Sequence, residues 1–78
     1  MTFQAMRERT NWMMEQMRRN AIDSNFEKFK DAARHYYETS EGGDVVTELI
    51  HRLEELGANM DYVFDVDFEI REEVFNRD

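Results

Sequence analysis

Residues 42–57, with the sequence GGDVVTELIHRLEELG, decide the fold class of this chain. Gly42 and Gly43 tolerate the left-handed backbone that ends a preceding helix, and Asp44 is well suited to cap the next one. Gly57 is the expected stop at the other end. Between these boundaries, apolar residues recur every three or four positions, as they do along one face of an α-helix. They are Val46, Leu49, Ile50, Leu53 and Leu56. The stretch therefore predicts a helix and a mainly α fold.

Two further helices are predicted upstream. Phe3, Met6, Thr10, Met13 and Met17 have helical spacing and indicate a helix near residues 3–19. Ile22, Phe26, Phe29, Ala33 and Tyr36 form a second such series. The step from Met17 to Ile22 turns the apolar stripe by roughly 140° around a helix of 3.6 residues per turn, so the two stripes cannot form one straight face. Ser24 and Glu27 have the form of a capping box, so the second helix is predicted to start there.

The segment after Gly57 is ambiguous. Tyr62, Phe64, Val66, Phe68 and Ile70 occupy alternate positions, which is the period of a strand with one buried face. A lone strand in a helical monomer lacks a pairing partner, however, and Ile70 with Val74 also fits a short helix. We therefore predict one small domain over residues 1–78. It is a bundle of three helices plus a C-terminal segment, from about Asp61, that forms a short strand, a fourth helix or part of each.

The charges divide the chain into two unlike halves. Twelve of the eighteen acidic residues lie after residue 40 and are opposed there by three arginines, so the last 38 residues carry net −9 and the first 40 carry net +1. Such asymmetry bears on binding partners rather than on the fold. It predicts a basic protein partner. At net −8 the whole chain is expected to avoid nucleic acid and anionic membranes.

The acidic residues of the last half form the predicted partner-binding surface. On a strand, Asp65, Asp67 and Glu69 would share one face at intervals of about 6.7 Å, whereas each strand of duplex DNA carries a phosphate per ~3.4 Å of axis. The row is then a partial imitation of a phosphate track. Four more acids would thicken it if the preceding helix lies alongside, namely Glu72, Glu73, Glu54 and Glu55. The alternative interpretation is that these carboxylates only solvate one side of a small protein.

The start of the chain offers a second candidate interface. Five of the six methionines fall within the first 17 residues, and the flexible methionine thioether adapts to irregular binding surfaces. The candidate interface residues are Trp12, Met13, Met14 and Met17. The alternative is that Met6, Met13 and Met17 belong to the core and leave Trp12 and Met14 on its flank.

No catalytic, metal-binding or cofactor-binding residues are predicted. Glu48 and His51 have the Glu-x-x-His spacing of a di-iron bundle, but such a site needs a second copy of the motif and two further glutamates. A calcium loop from Asp65 would need glycine and glutamate where the sequence has Ile70 and Asn76. An enzyme is therefore not expected. The chain contains no cysteine, which fits a reducing compartment, and the cytoplasm is the expected location.

Two functions remain as hypotheses. The first is an inhibitor or regulator whose acidic C-terminal half blocks a basic, nucleic-acid-binding site on a partner protein. In composition the chain resembles the DNA-mimicking anti-restriction and anti-CRISPR proteins of phages, which implies a phage origin. The second is a homodimeric helical adaptor or structural subunit whose acids serve solubility. That hypothesis predicts sensitivity at Phe26, Phe29 or Leu53.

Overall fold

The computed structural model describes residues 2–76, including their side chains except at positions 3–5, 7 and 8. Three helices follow one another along the chain: α1 (Phe3–Thr39), α2 (Gly43–Glu55) and α3 (Met60–Phe75). Residues 2–76 contain no strand. The prediction of a mainly α, small helical bundle is confirmed. One internal boundary needs correction, and the alternative left open for the C-terminal segment is resolved.

The correction concerns α1, which is one helix where the sequence predicted two. The helix continues through Ser24 and Glu27, and Ser24 is exposed on its surface. No glycine or proline interrupts the chain before Gly42, and residues 18–21 have ordinary helix propensity. A shift of the apolar stripe therefore changes which face is apolar without breaking the backbone. At 1.5 Å per residue α1 is about 55 Å long, which accounts for most of the 61 Å length of the molecule.

The C-terminal segment, for which the sequence left a strand and a helix open, is a helix. The side chain of Asn59 caps it by accepting a hydrogen bond from the backbone N–H of Tyr62 at 3.3 Å. Val63 and Ile70, seven residues apart, are buried on one face. A helix pairs its own backbone groups, whereas a single strand here would leave them without partners. The residues that alternate in the sequence are thereby spread around α3.

Both short helices pack against the C-terminal half of α1. The start of α2 lies beside Tyr36, and the ring of Tyr62 at the start of α3 stacks on Phe26 with centroids 5.4 Å apart. α2 therefore runs antiparallel to α1, and α3 runs back parallel to α1. α2 and α3 contact α1 far more than each other. The buried core consists of Phe29, Ala33, Val46, Leu49, Leu53, Val63 and Ile70.

The turn between α2 and α3 depends on a glycine. Gly57 has φ +84°, and its N–H and that of Ala58 donate to the carbonyls of Glu54 and Leu53, the pairing of a Schellman motif. A left-handed residue at this position ends α2 and reverses the chain within a few residues. As predicted from the sequence, Gly57 is the stop of this helix.

Two regions of the molecule can now be distinguished, which we call the arm (residues 3–21 of α1) and the body (residues 22–76). In the described part of the chain, the core and the apolar side chains packed on it include α1 only from Ile22 onward. The arm therefore projects beyond the body as a single helix. None of the three described helices combines the length and the apolar character needed to cross a membrane.

Candidate functional site

The helical geometry of α3 separates the acidic residues that a strand would have aligned. Positions two apart on a helix point roughly 200° apart. Asp65 and Glu69 are exposed, whereas Asp67 between them turns toward α1 and is half-buried. The predicted row of Asp65, Asp67 and Glu69 is therefore wrong as a single face.

Asp67 is engaged inside the fold. The hydroxyl of Tyr37 donates to its carboxylate, with both oxygens 2.9 Å away. Burial, and next this hydrogen bond, raise the pKa of Tyr37 to about 12. Because a hydrogen bond to a charged group typically contributes about 1.5–3 kcal/mol, Asp67 helps to hold α3 on α1. It is a structural residue rather than a surface for a partner.

Glu73 is engaged in a similar way at the surface. The guanidinium of Arg34 donates two hydrogen bonds to its carboxylate, at 3.2 and 3.3 Å. This fork-to-fork pairing raises the pKa of Arg34 above its ordinary value, chiefly through the hydrogen bond to Glu73. Glu73 thereby offers less free charge to a partner than its neighbours on α3.

Four other acids form the outward face of α3, namely Asp61, Asp65, Glu69 and Glu72. All four are exposed. Along the helix axis they are spaced about 6, 6 and 4.5 Å apart, slightly closer than the row expected for a strand. Glu72 also accepts a hydrogen bond from the side-chain amide of Asn76 at 2.9 Å. Asp61 was missed from the sequence, although its position four residues before Asp65 would have indicated it in a helical register.

Exposed phenylalanines run beside this acidic face. Phe64, Phe68 and Phe75 have 51%, 59% and 60% of their surface exposed. Each follows an acidic residue of α3 by three positions, and side chains three apart are neighbours on a helix surface. The pairs are Asp61 with Phe64, Asp65 with Phe68, and Glu72 with Phe75. We call these six residues and Glu69 the α3 surface.

A shallow depression lies at one end of the α3 surface. It has a volume of about 310 Å³ and is lined by Tyr36, Tyr37, Ser40, Arg71 and Phe75. The guanidinium of Arg71 lies over the ring of Phe75 at 5.9 Å, and Tyr37 meets that ring edge-on. The end of the aromatic stripe therefore borders an open recess that could receive a side chain of a partner.

Glu54 and Glu55 belong to a different surface. Both are exposed on α2, which packs mainly on α1. Glu55 lies on the outward side of α2 together with Asp44 and Glu48, half a turn or so away from the buried Val46. These acids add to the charge of the body, and the α3 surface is built without them.

The candidate interface on α1 is divided by the helix geometry. Met13 and Met17 lie on one face with Met6, and 53%, 69% and 54% of their surfaces are exposed. Met14 borders this face. Trp12, 61% exposed, points more than a quarter turn away from Met13. The interpretation of Met6, Met13 and Met17 as core is wrong, because the short helices pack on the opposite side of α1 and farther along it.

Comparison with known proteins adds no further constraint. No family model, curated protein or solved structure matches this chain. Within residues 2–76, no three carboxylate or histidine side chains are grouped as metal ligands.

Proposed function

We propose that this protein is an acidic protein-binding module that inhibits or regulates a basic, nucleic-acid-binding partner. The α3 surface occupies the basic site of that partner in the manner of a DNA mimic, and the chain is of phage origin. The observation that carries the proposal is the pairing of three exposed phenylalanines with three carboxylates along α3.

The aromatic residues are the expected source of affinity. Protein interfaces derive most of their binding energy from a few large side chains, aromatic ones prominent among them, surrounded by a polar rim. A row of half-exposed phenylalanines on a chain of 78 residues costs solubility, and a contiguous exposed apolar patch commonly marks a binding site. Phe68 lies between the other two and is the expected centre of the contact.

The carboxylates are the expected source of selectivity. Asp61, Asp65, Glu69 and Glu72 occupy one side of α3 at intervals of about 5.5 Å along its axis. A row of this kind attracts a cleft lined by lysine and arginine, raises the association rate and disfavours acidic competitors. Nucleic-acid-binding proteins present such clefts because they must bind phosphates.

The homodimeric adaptor hypothesis requires an interface other than the one predicted from the sequence. Phe29 and Leu53 are fully buried in the core, and Phe26 packs against that core. Substitutions there would report on folding. A dimer of this protein would use an exposed surface instead, and the exposed methionines of the arm offer one.

Affinity capture from host lysate with matched charge variants tests the proposal. In the test variant Asp65, Glu69 and Glu72 become lysine, and Asp67 is left intact because it accepts the hydrogen bond from Tyr37. In the control, Asp31, Glu41 and Glu48 become lysine, which changes the net charge equally at exposed sites outside α3.

We expect the unmodified protein to capture a basic nucleic-acid-binding protein that duplex DNA and high salt displace. The α3 lysine variant should lose this protein and the control should retain it. Phe68→Ala should weaken binding about tenfold or more. A variant with lysine at Glu54 and Glu55 measures any contribution of α2. Equal release by the α3 variant and the control would show that only net charge matters, and the proposal would fail.

A further inference from the structure

α1 carries a second exposed surface, rich in methionine, that the α3 surface does not explain. Six exposed residues of α1 follow one another at steps of four and three, the spacing of a coiled-coil seam. They are Met6, Thr10, Met13, Met17, Asn20 and Ser24, which we call the seam. Because the step from Met17 to Ile22 turns the apolar stripe by roughly 140°, the seam faces away from the side of α1 that binds α2 and α3.

A partner for the seam has to come from another molecule. In the described structure α2 and α3 cover α1 only from Ile22 onward and lie on its other side. Among the described side chains of the arm, Glu15 and Arg19 form an ion pair at 3.1 Å. Most of the stability of a helix in a protein comes from tertiary packing of one of its faces, so a helix packed on the seam would stabilise the arm.

We infer that the seam binds the seam of a second copy of this chain in antiparallel orientation. The register that brings the methionines together places Met13 of each copy against Met17 of the other, with a twofold axis near Glu15. Thr10 then faces Asn20, and Met6 faces Ser24. The polar Thr10 and Asn20 layers fix this register, as single polar residues do in coiled-coil seams. Methionine side chains adapt their shape at the centre.

Charge complementarity favours the antiparallel orientation. Residues 1–21 contain four arginines and two glutamates, a net charge of +2, so residues 22–78 carry the remaining −10. A parallel pair would place two acidic bodies side by side. In the antiparallel register the bodies begin about 21 Å apart along the axis, and each basic arm extends toward the body of the other copy. At the edge of the seam, Arg9 of each copy meets Asp23 of the other.

The consequence is a dimer with an α3 surface on the body at each end. Each short helix lies away from the seam, so pairing leaves both α3 surfaces accessible. The inference depends only on residues of α1 up to Ser24 and holds whether or not α3 binds a nucleic-acid-binding protein. Two α3 surfaces on one particle would increase the avidity for a partner with repeated basic sites.

Sedimentation equilibrium of the full chain over a wide concentration range tests the inference. We expect a reversible monomer–dimer equilibrium. Met13→Ala should raise the dimer Kd by about 100-fold, because each dimer loses two buried methionine side chains. Trp12→Ala is the matched control, since Trp12 is equally exposed on the arm but points away from the seam, and its Kd should be unchanged. Lysine at Asp65, Glu69 and Glu72 should also leave the Kd unaffected.

A charge swap and a cross-linking experiment test the orientation. Arg9→Asp and Asp23→Arg should each weaken the dimer, and the double variant should restore it. The natural chain has no cysteine, so engineered pairs are unambiguous. Thr10→Cys chains should cross-link to Asn20→Cys chains under oxidation, and neither should cross-link to itself. A monomer at every concentration, equal effects of Trp12→Ala and Met13→Ala, or self-linking of Thr10→Cys would each overturn the inference.

Discussion

The arm and the part of α1 that lies in the body form one continuous helix, yet they differ in which face is apolar and whether that face is buried. In the body, α1 buries Phe29 and Ala33 completely against α2 and α3. In the arm, Met13 and Met17 remain more than half exposed on the opposite side of the helix. A single change of phase in the apolar pattern, between Met17 and Ile22, separates the two. One helix can therefore stabilise a fold with one face and present a binding surface with the other.

The stability of the fold also lies mainly in the body. Fold stability arises from buried apolar area and satisfied hydrogen bonds, and the body holds the buried core together with the ties between Tyr37 and Asp67 and between Arg34 and Glu73. The arm holds exposed side chains and local helical bonds. The natural spectroscopic reporters divide in the same way, since the single tryptophan lies in the arm and all three tyrosines lie in the body.

Proline at matched positions of α1 gives the largest predicted contrast. Asn11 in the arm and Lys28 in the body are both exposed. Proline inside a helix removes a backbone hydrogen bond and clashes with the preceding turn, at a cost of about 3 kcal/mol or more. Lys28→Pro should therefore unfold a small body whose total stability is of similar size. Asn11→Pro should leave the free energy of unfolding of the body unchanged within about 0.5 kcal/mol.

Urea unfolding of dilute, monomeric protein measures both effects. Tyrosine circular dichroism follows the body, and Trp12 fluorescence follows the arm. Asn11→Pro should change only the tryptophan signal. If Asn11→Pro also abolished or strongly destabilised the folded tyrosine signal, arm and body would unfold as one cooperative unit and the division would be wrong.

The second prediction concerns the hydrogen bond that ties α3 to α1 within the body. Tyr37→Phe removes the donor to Asp67 and should lower the free energy of unfolding by about 1.5–3 kcal/mol at neutral pH. The raised pKa also predicts a pH dependence. The ordinary pKa of Tyr37 is 10.0, and its pKa in the folded body is about 12. Between these two pH values the folded body retains the Tyr37 proton, whereas the unfolded chain releases it. The stabilisation is therefore complete below about pH 10 and is lost as the pH rises toward 12.

Denaturation at several alkaline pH values, with an absorbance titration of the phenols, measures this dependence. In the Tyr37→Phe variant this component of the alkaline loss should be absent. Tyr36→Phe, at the adjacent and more exposed residue, should retain it. The same fall in Tyr37→Phe would assign the alkaline loss to other groups.

The sequence predicted those parts of the fold that depend on local periodicity. The stripe of Val46, Leu49 and Leu53 was correct because three- and four-residue steps and glycine boundaries pointed to the same helix. Ser24 and Glu27 misled because a serine followed three residues later by glutamate occurs within helices as well as at their starts. The tail was ambiguous because the segment that carries the alternating pattern also has Val63, Val66, Ile70 and Val74 at helical spacing. Packing against α1 determines that the segment adopts the helical period and not the two-residue period of a strand.

The candidate site was less accessible to sequence reasoning. Asp67 and Glu73 looked equivalent to Asp65 and Glu72, since nothing near them in the sequence distinguishes a structural carboxylate from a free one. Their partners lie 30 and 39 residues away in the chain. Only the packing of α3 on α1 distinguishes the structural carboxylates from the free ones. Once α3 is known to be a helix, the pairing of each exposed phenylalanine with an acid three residues earlier follows directly from the sequence.

The smallest predicted effect concerns the end of α1 in the body. Ser40 has φ +63°, a left-handed conformation that disfavours any residue with a Cβ atom. Ser40→Gly relieves this strain but increases the freedom of the unfolded chain, so the net gain should be about 0.5–1 kcal/mol. Gly57→Ala is the converse control: with φ +84° and no atom within 4 Å of the added Cβ, it should lose a similar amount through the backbone alone. Because Ser40 belongs to the body, urea unfolding should show the gain in the tyrosine signal and none in Trp12 fluorescence. A loss of stability in Ser40→Gly would mean that α1 does not end in a left-handed residue.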